Sequence, residues 1–241
     1  MKFSKFPSPN YDKTPRSNNL IKFIVIHYTG MQSERESLKR LVNPRSKVSS
    51  HYLINKKGKI YNLINDKRVA WHAGKSCWLR FKNLNKHSIG IELVNKGHHL
   101  GYEKFEKKQI LNLIKLCKKL IKKYKIKKKN IIGHSDIAPS RKIDPGEKFP
   151  WKQLYMHKIG IWHDQKPKVL LKLRRKKILK KKEEEKFFIN LKKIGYCFPF
   201  KNKKFLTKTI KAFQRHFRKE LINGVLDQEC FEIAKNLTIK P

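Results

Sequence analysis

The chain has 241 residues, with 60 Lys plus Arg against 18 Asp plus Glu, a formal charge of +42. That length holds one large domain or a medium domain with a small one. A hydrophobic content of 39% with 11% aromatics is enough for a core and excludes a disordered polycation. A mean hydropathy of −0.69, with no apolar run near about 20 residues, excludes a transmembrane segment.

The N-terminus, MKFSKFPSPNYDKTPRSNNL, lacks the apolar stretch of roughly 7–15 residues that an export signal needs, so a cytoplasmic location is expected. Cys77, Cys117, Cys197 and Cys230 are far apart and form no Cys-x-x-Cys pair. Neither a disulfide framework nor a thiolate zinc site is expected from them. The lysines are spread along a chain that is also rich in Ile and Asn, and no nucleic-acid-binding signature accompanies them. The charge therefore reads as compositional, with no specific nucleic-acid partner.

In chain order, IKFIVIH (21–27) is a β-branched apolar run and predicts a buried strand. Residues 34–42 have helical spacing and stop at Asn43-Pro44. Residues 51–55 and 59–64 predict two strands around the Lys57-Gly58 turn. SIGIELVN (88–95) alternates around Glu92 and predicts another strand. Over 105–124, Ile110, Leu113, Ile114, Cys117, Leu120, Ile121 and Tyr124 form one stripe of a helix, with lysines opposite. Residues 130–133 predict a short strand entering GHSDIAPSRKIDPG. This mixture argues an α/β fold with a central sheet. The run 166–182 is mostly charged and reads as a solvated linker or an exposed helix. Beyond it, FFINLKKIGY, TKTIKAFQRHFR and NGVLDQECFEIAKNL predict three short helices, with Asn223-Gly224 as a turn.

Three polar residues stand out. His27 ends one apolar strand, His134 ends another, and Asp144 follows ten residues later in RKIDPG. Two imidazoles and one carboxylate suffice as the protein ligands of a catalytic zinc ion, with a fourth position open. Each residue also has a plainer reading: a strand-end histidine in a structural hydrogen bond, an aspartate forming a turn before Pro-Gly. Glu92 sits mid-strand in an apolar run, where a carboxylate is either paired in the core or held as a general base. Lys142, two residues before Asp144, is one lysine among many by composition.

The set IVIHYTG, SSHYLI, AWHAG, SIGIELVN, GHSDIAPSRKIDPG and FPW, in order from about Pro7 to Trp162, resembles the zinc-dependent N-acetylmuramoyl-L-alanine amidases of the type-2 (AmpD/AmiD-like) family. The resemblance implies a mixed sheet flanked by helices, as in peptidoglycan recognition proteins. It implies His27, His134 and Asp144 as ligands of Zn²⁺, Glu92 as the base and Lys142 as the group stabilising the oxyanion. It implies peptidoglycan or anhydro-muropeptide as substrate, cut between N-acetylmuramic acid and L-alanine. His51, Trp71, His72 and Asn95 are expected to contact that substrate, and Arg80 or Arg141 to meet its carboxylates.

The C-terminal segment resembles a three-helix peptidoglycan-binding domain through Leu191, Ile194-Gly195-Tyr196, Thr209, Ala212-Phe213-Gln214, Phe217, Asn223-Gly224 and Leu237. It departs from that pattern where CFPFKNKKF follows Gly-Tyr. The implied division is a catalytic domain over 1–165, a basic linker over 166–182 and a helical domain over 183–241. A wall-binding module also implies a periplasmic location as the alternative to the cytoplasm. The other functional reading is a non-catalytic peptidoglycan receptor on the same fold.

Overall fold

The computed structural model describes residues 3–178, 181–199 and 202–239. Leu179 and Lys180 of the basic run, and Phe200 and Lys201 of CFPFKNKKF, lie outside the described residues. The strands are β1 (Ser4–Lys5), β2 (Tyr11–Asp12), β3 (Phe23–Tyr28), β4 (Tyr52–Ile54), β5 (Ile60–Asn62), β6 (Val69–Ala70), β7 (Cys77–Trp78), β8 (Phe81–Lys82), β9 (Ser88–Leu93) and β10 (Ile131–Gly133). The helices are α1 (Glu34–Val42), α2 (Lys107–Tyr124), α3 (His134–Ile137), α4 (Trp151–Met156), α5 (Pro167–Leu173), α6 (Lys181–Ile194), α7 (Lys203–Phe217) and α8 (Gln228–Ile239).

Six strands form one sheet in the order β1-β5-β4-β9-β3-β10. Only the β4–β5 pair is antiparallel, because the Lys57-Gly58 turn folds that hairpin back on itself. The β-branched runs of β3 and β9 lie at its centre, where both faces are covered. Side chains alternate across the sheet. Ile24, Ile26, Ile89, Ile91 and Leu93 face α2, whose apolar stripe of Ile110, Leu113, Ile114, Cys117 and Leu120 covers them. Phe23, Val25 and Ile132 face the other way and join the C-terminal helices in a second cluster.

That second cluster changes how the C-terminal half is understood. Phe187, Leu191, Phe213, Phe217 and Ile233 share it with Phe23, Val25 and Trp78 of the sheet side. The stretch read as a solvated linker or an exposed helix carries α5. Leu170 of α5 is buried, and Arg174 pairs with Glu229 of α8 at 2.7 Å. The three expected helices are α6, α7 and α8. Gln214 ties down the Asn223-Gly224 turn by accepting from the Gly224 N–H at 2.8 Å and donating to Asn223 Oδ1 at 3.1 Å.

One expectation is overturned. Cys77 and Cys197 form a disulfide across 120 residues of sequence, between the β7–β8 hairpin and the segment after α6. A single long-range pair leaves no local spacing to read, which is why sequence reasoning missed it. Cys117 and Cys230 are free and buried.

Candidate metal centre and cleft

Parallel register places the chemistry. His27 pairs with Glu92 across β3 and β9, so the two side chains emerge next to each other at the C-terminal ends of adjacent strands. β10 lies on the other side of β3 and delivers His134 as the first residue of α3. The loop after α3 folds back through Lys142 N–H donating to the Ala138 carbonyl at 3.0 Å, and Ser135 N–H donating to the Asp144 carbonyl at 2.8 Å. Those bonds bring Asp144 over the sheet edge.

Asp144 Oδ2 lies 3.0 Å from His27 Nδ1 and 3.1 Å from His134 Nδ1, and the two ring nitrogens are 3.0 Å apart. All three residues are buried. The protons behind them decide what this triangle is. Ser88 Oγ donates its only proton to the Leu84 carbonyl at 2.6 Å, so it accepts from His72 Nε2–H at 3.1 Å. His72 Nδ1 is then an acceptor, and it takes the Nε2–H of His27 at 3.0 Å. His27 Nδ1 is left with a bare lone pair. His134 Nε2 faces the Ala73 carbonyl at 3.2 Å, which can only accept, so the tautomer that carries its proton at Nε2 turns a bare Nδ1 inward.

Three acceptors therefore meet with no proton between them, an arrangement that a bound cation satisfies. Electrostatics agree. Burial, aided by the neighbouring His134, pushes the His27 imidazole down to about 4, and burial holds His72 well below its ordinary value. The donor set fits a metal ion.

The triangle opens onto a cleft of about 540 Å³ lined by Tyr28, Arg40, Trp71, Glu92, Arg141 and Lys142 among others. The Glu92 carboxyl is pushed up to about 8, chiefly by burial and then by the Asp144 charge, with Lys142 opposing. Its Oε2 is buried and has no hydrogen-bond partner among the described residues. Glu92 is thus a basic, uncommitted carboxylate beside the triangle, and the Lys142 ammonium is near enough to act on both Glu92 and His27.

The expected substrate contacts divide. Trp71 lines the cleft, oriented by its Nε1–H donating to Asp12 at 2.7 Å. His72 borders the cleft, but its ring nitrogens are spent on His27 and Ser88, so it orients the His27 ring instead. His51 is fully buried behind it, accepting from the Gly90 N–H at 3.0 Å and facing Arg16 at 2.9 Å, and does not reach the cleft. Asn95 is likewise buried, donating to the Glu103 carbonyl at 2.9 Å and accepting from the Gly97 N–H at 3.0 Å. It shapes the loop after β9. Arg80 lines a different pocket, next to Lys22 and Phe81. Arg141 reaches the cleft but spends its guanidinium on the carbonyls of Ala73 and Lys75.

Sequence reasoning missed Ser88, Gly90 and Arg40. Ser88, Gly90 and Glu92 occupy alternate positions of β9 and share the face that carries His27, a period-2 signal that was available. Gly90 is required there: a Cβ would stand 2.5 Å from the His72 ring, so only glycine lets that ring lie on the strand and reach His27. Arg40, on α1, lines the cleft, and its guanidinium makes no hydrogen bond or ion pair among the described residues.

A mixed α/β sheet whose strand ends carry a His-His-Asp donor set, an uncommitted basic carboxylate and an open cleft has the layout of a metal-assisted hydrolase. A family model described as N-acetylmuramoyl-L-alanine amidase matches residues 17–147. The N-acetylmuramoyl-L-alanine amidase AmiD of Escherichia coli (strain K12) is 39% identical over 233 residues, spanning 91% of this chain and 83% of that protein. The chain belongs to the N-acetylmuramoyl-L-alanine amidase family. A structure of E. coli AmiD with the substrate anhydro-N-acetylmuramic acid-L-Ala-D-gamma-Glu-L-Lys superposes with a TM-score of 0.78 at 36% identity, covering 94% of this chain and 91% of that one. AmpDh3 from Pseudomonas aeruginosa, in complex with anhydromuramic pentapeptide, gives 0.81 at 33% identity, covering 96% of each chain. The 1,6-anhydro-N-acetylmuramyl-L-alanine amidase AmpD of Haemophilus influenzae is 34% identical over 164 residues, which is 61% of this chain and 86% of that protein.

Proposed function

We propose that this chain is a zinc amidase that hydrolyses the amide between N-acetylmuramic acid, or its anhydro form, and L-alanine of peptidoglycan or muropeptides. The convergence of three bare acceptors on one point carries the reading. Their spacing of 3.0–3.1 Å is close to the roughly 3.3 Å expected between tetrahedral ligands about 2.0–2.1 Å from zinc. His27, His134 and Asp144 would hold the ion. When bound, zinc supplies Lewis acidity toward the amide carbonyl and toward water.

The chain's own groups do the rest. Glu92 takes a proton from the attacking water at its free carboxylate oxygen and returns it to the leaving L-alanine nitrogen. Its raised affinity for a proton suits both halves of that exchange. Lys142 sets an ammonium toward the developing oxyanion. Trp71 offers an oriented ring for a sugar or peptide face. The unpaired guanidinium of Arg40 suits a stem-peptide carboxylate, a role that Arg141 and Arg80 are less free to take. The names of AmiD and AmpD, and the ligands bound in the AmiD and AmpDh3 structures, support the same substrate class.

No helix among the described residues is long and apolar enough to cross a membrane. The Cys77–Cys197 disulfide favours an oxidising compartment, and hence the periplasm over the cytoplasm. The division into a catalytic unit, a connector and a helical unit belongs to the same proposal.

Purified protein incubated with soluble anhydro-muropeptide and with intact sacculi, each with and without a chelator, tests the reading. Release of free peptide beginning at L-alanine, abolished by the chelator and restored by zinc, is expected. No cleavage of either material with zinc supplied would leave only the receptor alternative.

A further inference from the structure

The helix that starts at His134 has a second polar side chain, turned away from the cleft. Asp136 is 1% exposed. Its Oδ1 accepts from the Tyr196 hydroxyl at 2.7 Å. Its Oδ2 accepts from His216 Nδ1–H at 2.7 Å and from the Gly133 N–H at 2.8 Å. Gly133 immediately precedes His134, so this carboxylate also closes the first turn of the ligand helix. The other two donors come from the C-terminal segment, 60 and 80 residues away in sequence.

Both donors are themselves held. The Leu79 N–H donates to the Gly195 carbonyl at 2.7 Å, Cys197 is bonded to Cys77, and the Trp78 ring centroid lies 4.8 Å from that of Tyr196. Gly195 admits no side chain, since a Cβ would stand 2.3 Å from Trp78. The His216 ring stacks on Trp151 at 3.9 Å and on Phe217 at 4.0 Å. α3 itself spans four residues, a single turn with almost no helical stability of its own. Its direction is set by what its side chains bind, and charge-assisted bonds to a buried carboxylate bind strongly.

We propose that Tyr196 and His216 are positioning residues for the metal centre. Through Asp136 they fix the axis of α3, and so the direction of the His134 Nδ1 lone pair. The C-terminal helices then serve the catalytic site directly, whatever they do for wall binding. This inference rests on the zinc-amidase reading.

The test uses the full chain with Tyr196→Phe, His216→Phe and the double substitution. A conservative control, His216→Asn, keeps an N–H close to the Nδ1 position. Zinc affinity is measured by competition with a chromophoric chelator, coordination by the visible spectrum of the cobalt-loaded protein, and folding by thermal unfolding. The folded double variant is expected to bind zinc about 10–100-fold more weakly and to show an altered cobalt spectrum. At saturating zinc its kcat on soluble anhydro-muropeptide falls while KM holds. His216→Asn recovers most of the affinity. A folded double variant with parental zinc affinity and an unchanged cobalt spectrum overturns the proposal. If the double variant does not fold, Tyr196→Phe, which loses one bond and no ring, is judged by the same readouts. A wild-type chain that binds no zinc refutes the amidase reading itself, a separate and recognisable failure.

Discussion

Two buried histidine–aspartate clusters lie on either side of one short helix, and they are opposite in kind. On the cleft side, Asp144 lies 3.0–3.1 Å from two imidazole nitrogens. On the far side, Asp136 lies 2.7 Å from one imidazole nitrogen. Residue types and spacings are nearly the same. The difference is the count of protons. Around Asp136 three donors surround one carboxylate, so its oxygens are satisfied and offer no vacancy for a cation. Around Asp144 the imidazole protons all point outward, to His72 and to the Ala73 carbonyl, and only acceptors point inward. Proximity of His and Asp does not make a metal site; tautomers fixed by the surrounding hydrogen bonds do.

The largest effect expected from breaking this contrast is at Asp144. Asp144→Ala removes one of the converging acceptors, and bound zinc by elemental analysis should fall from one equivalent to none, with hydrolysis lost. Zinc retained at full stoichiometry would mean that the triangle is not the site. Glu92→Gln should leave zinc in place and lower turnover by about 10²–10⁴-fold, the usual worth of a positioned base. Turnover close to wild type in that variant would remove Glu92 from the mechanism. Lys142→Ala should cost about 10²–10³ in kcat, as loss of an oxyanion donor does; an effect confined to KM would make it a binding residue. His72→Phe keeps a ring on Gly90 but leaves the His27 Nε2–H without its acceptor. Zinc affinity should drop about 10–100-fold, and an unchanged affinity would mean that the His27 tautomer is set elsewhere.

Much of the fold was legible because it is carried by local pattern. The apolar run of β3 and the stripe of α2 are visible in order, and α1 ends where Asn43-Pro44 says it must. The three candidate ligands read as strand-end and loop residues, the family resemblance implied them together, and the structure brings their side chains to one point. What the sequence hid depends on tertiary direction. His51 and Asn95 read as cleft residues because their motifs surround the cleft, yet hydrogen bonds turn them into the scaffold; His72 does line the cleft, with its ring nitrogens committed to His27 and Ser88. The disulfide and the Asp136 cluster join residues 60–120 positions apart, and no spacing rule reaches that far. The charged stretch after Lys166 left a linker and an exposed helix both open, because Leu170, the buried residue of α5, is averaged away by the lysines around it.

The smallest effect concerns the metal-free protein and tests whether Glu92 is as dry as its surroundings imply. Its carboxyl has a folded value of about 8 against an ordinary 4.5. A raised folded value contributes stability that is complete below 4.5 and is lost as pH rises through 8. His27, lowered by burial from 6.5 to about 4, acts the other way, but its contribution is already constant above pH 6.5. Between pH 6.5 and 9, therefore, the chelator-treated wild type should lose about 1–2 kcal/mol that Glu92→Gln does not lose. That corresponds to a gap of roughly 2–8 °C in melting temperature, opening toward high pH. Parallel melting curves across that range would mean that water reaches the carboxylate. Glu92 would then resemble an ordinary surface acid, and its contrast with the saturated Asp136 would no longer bear on catalysis.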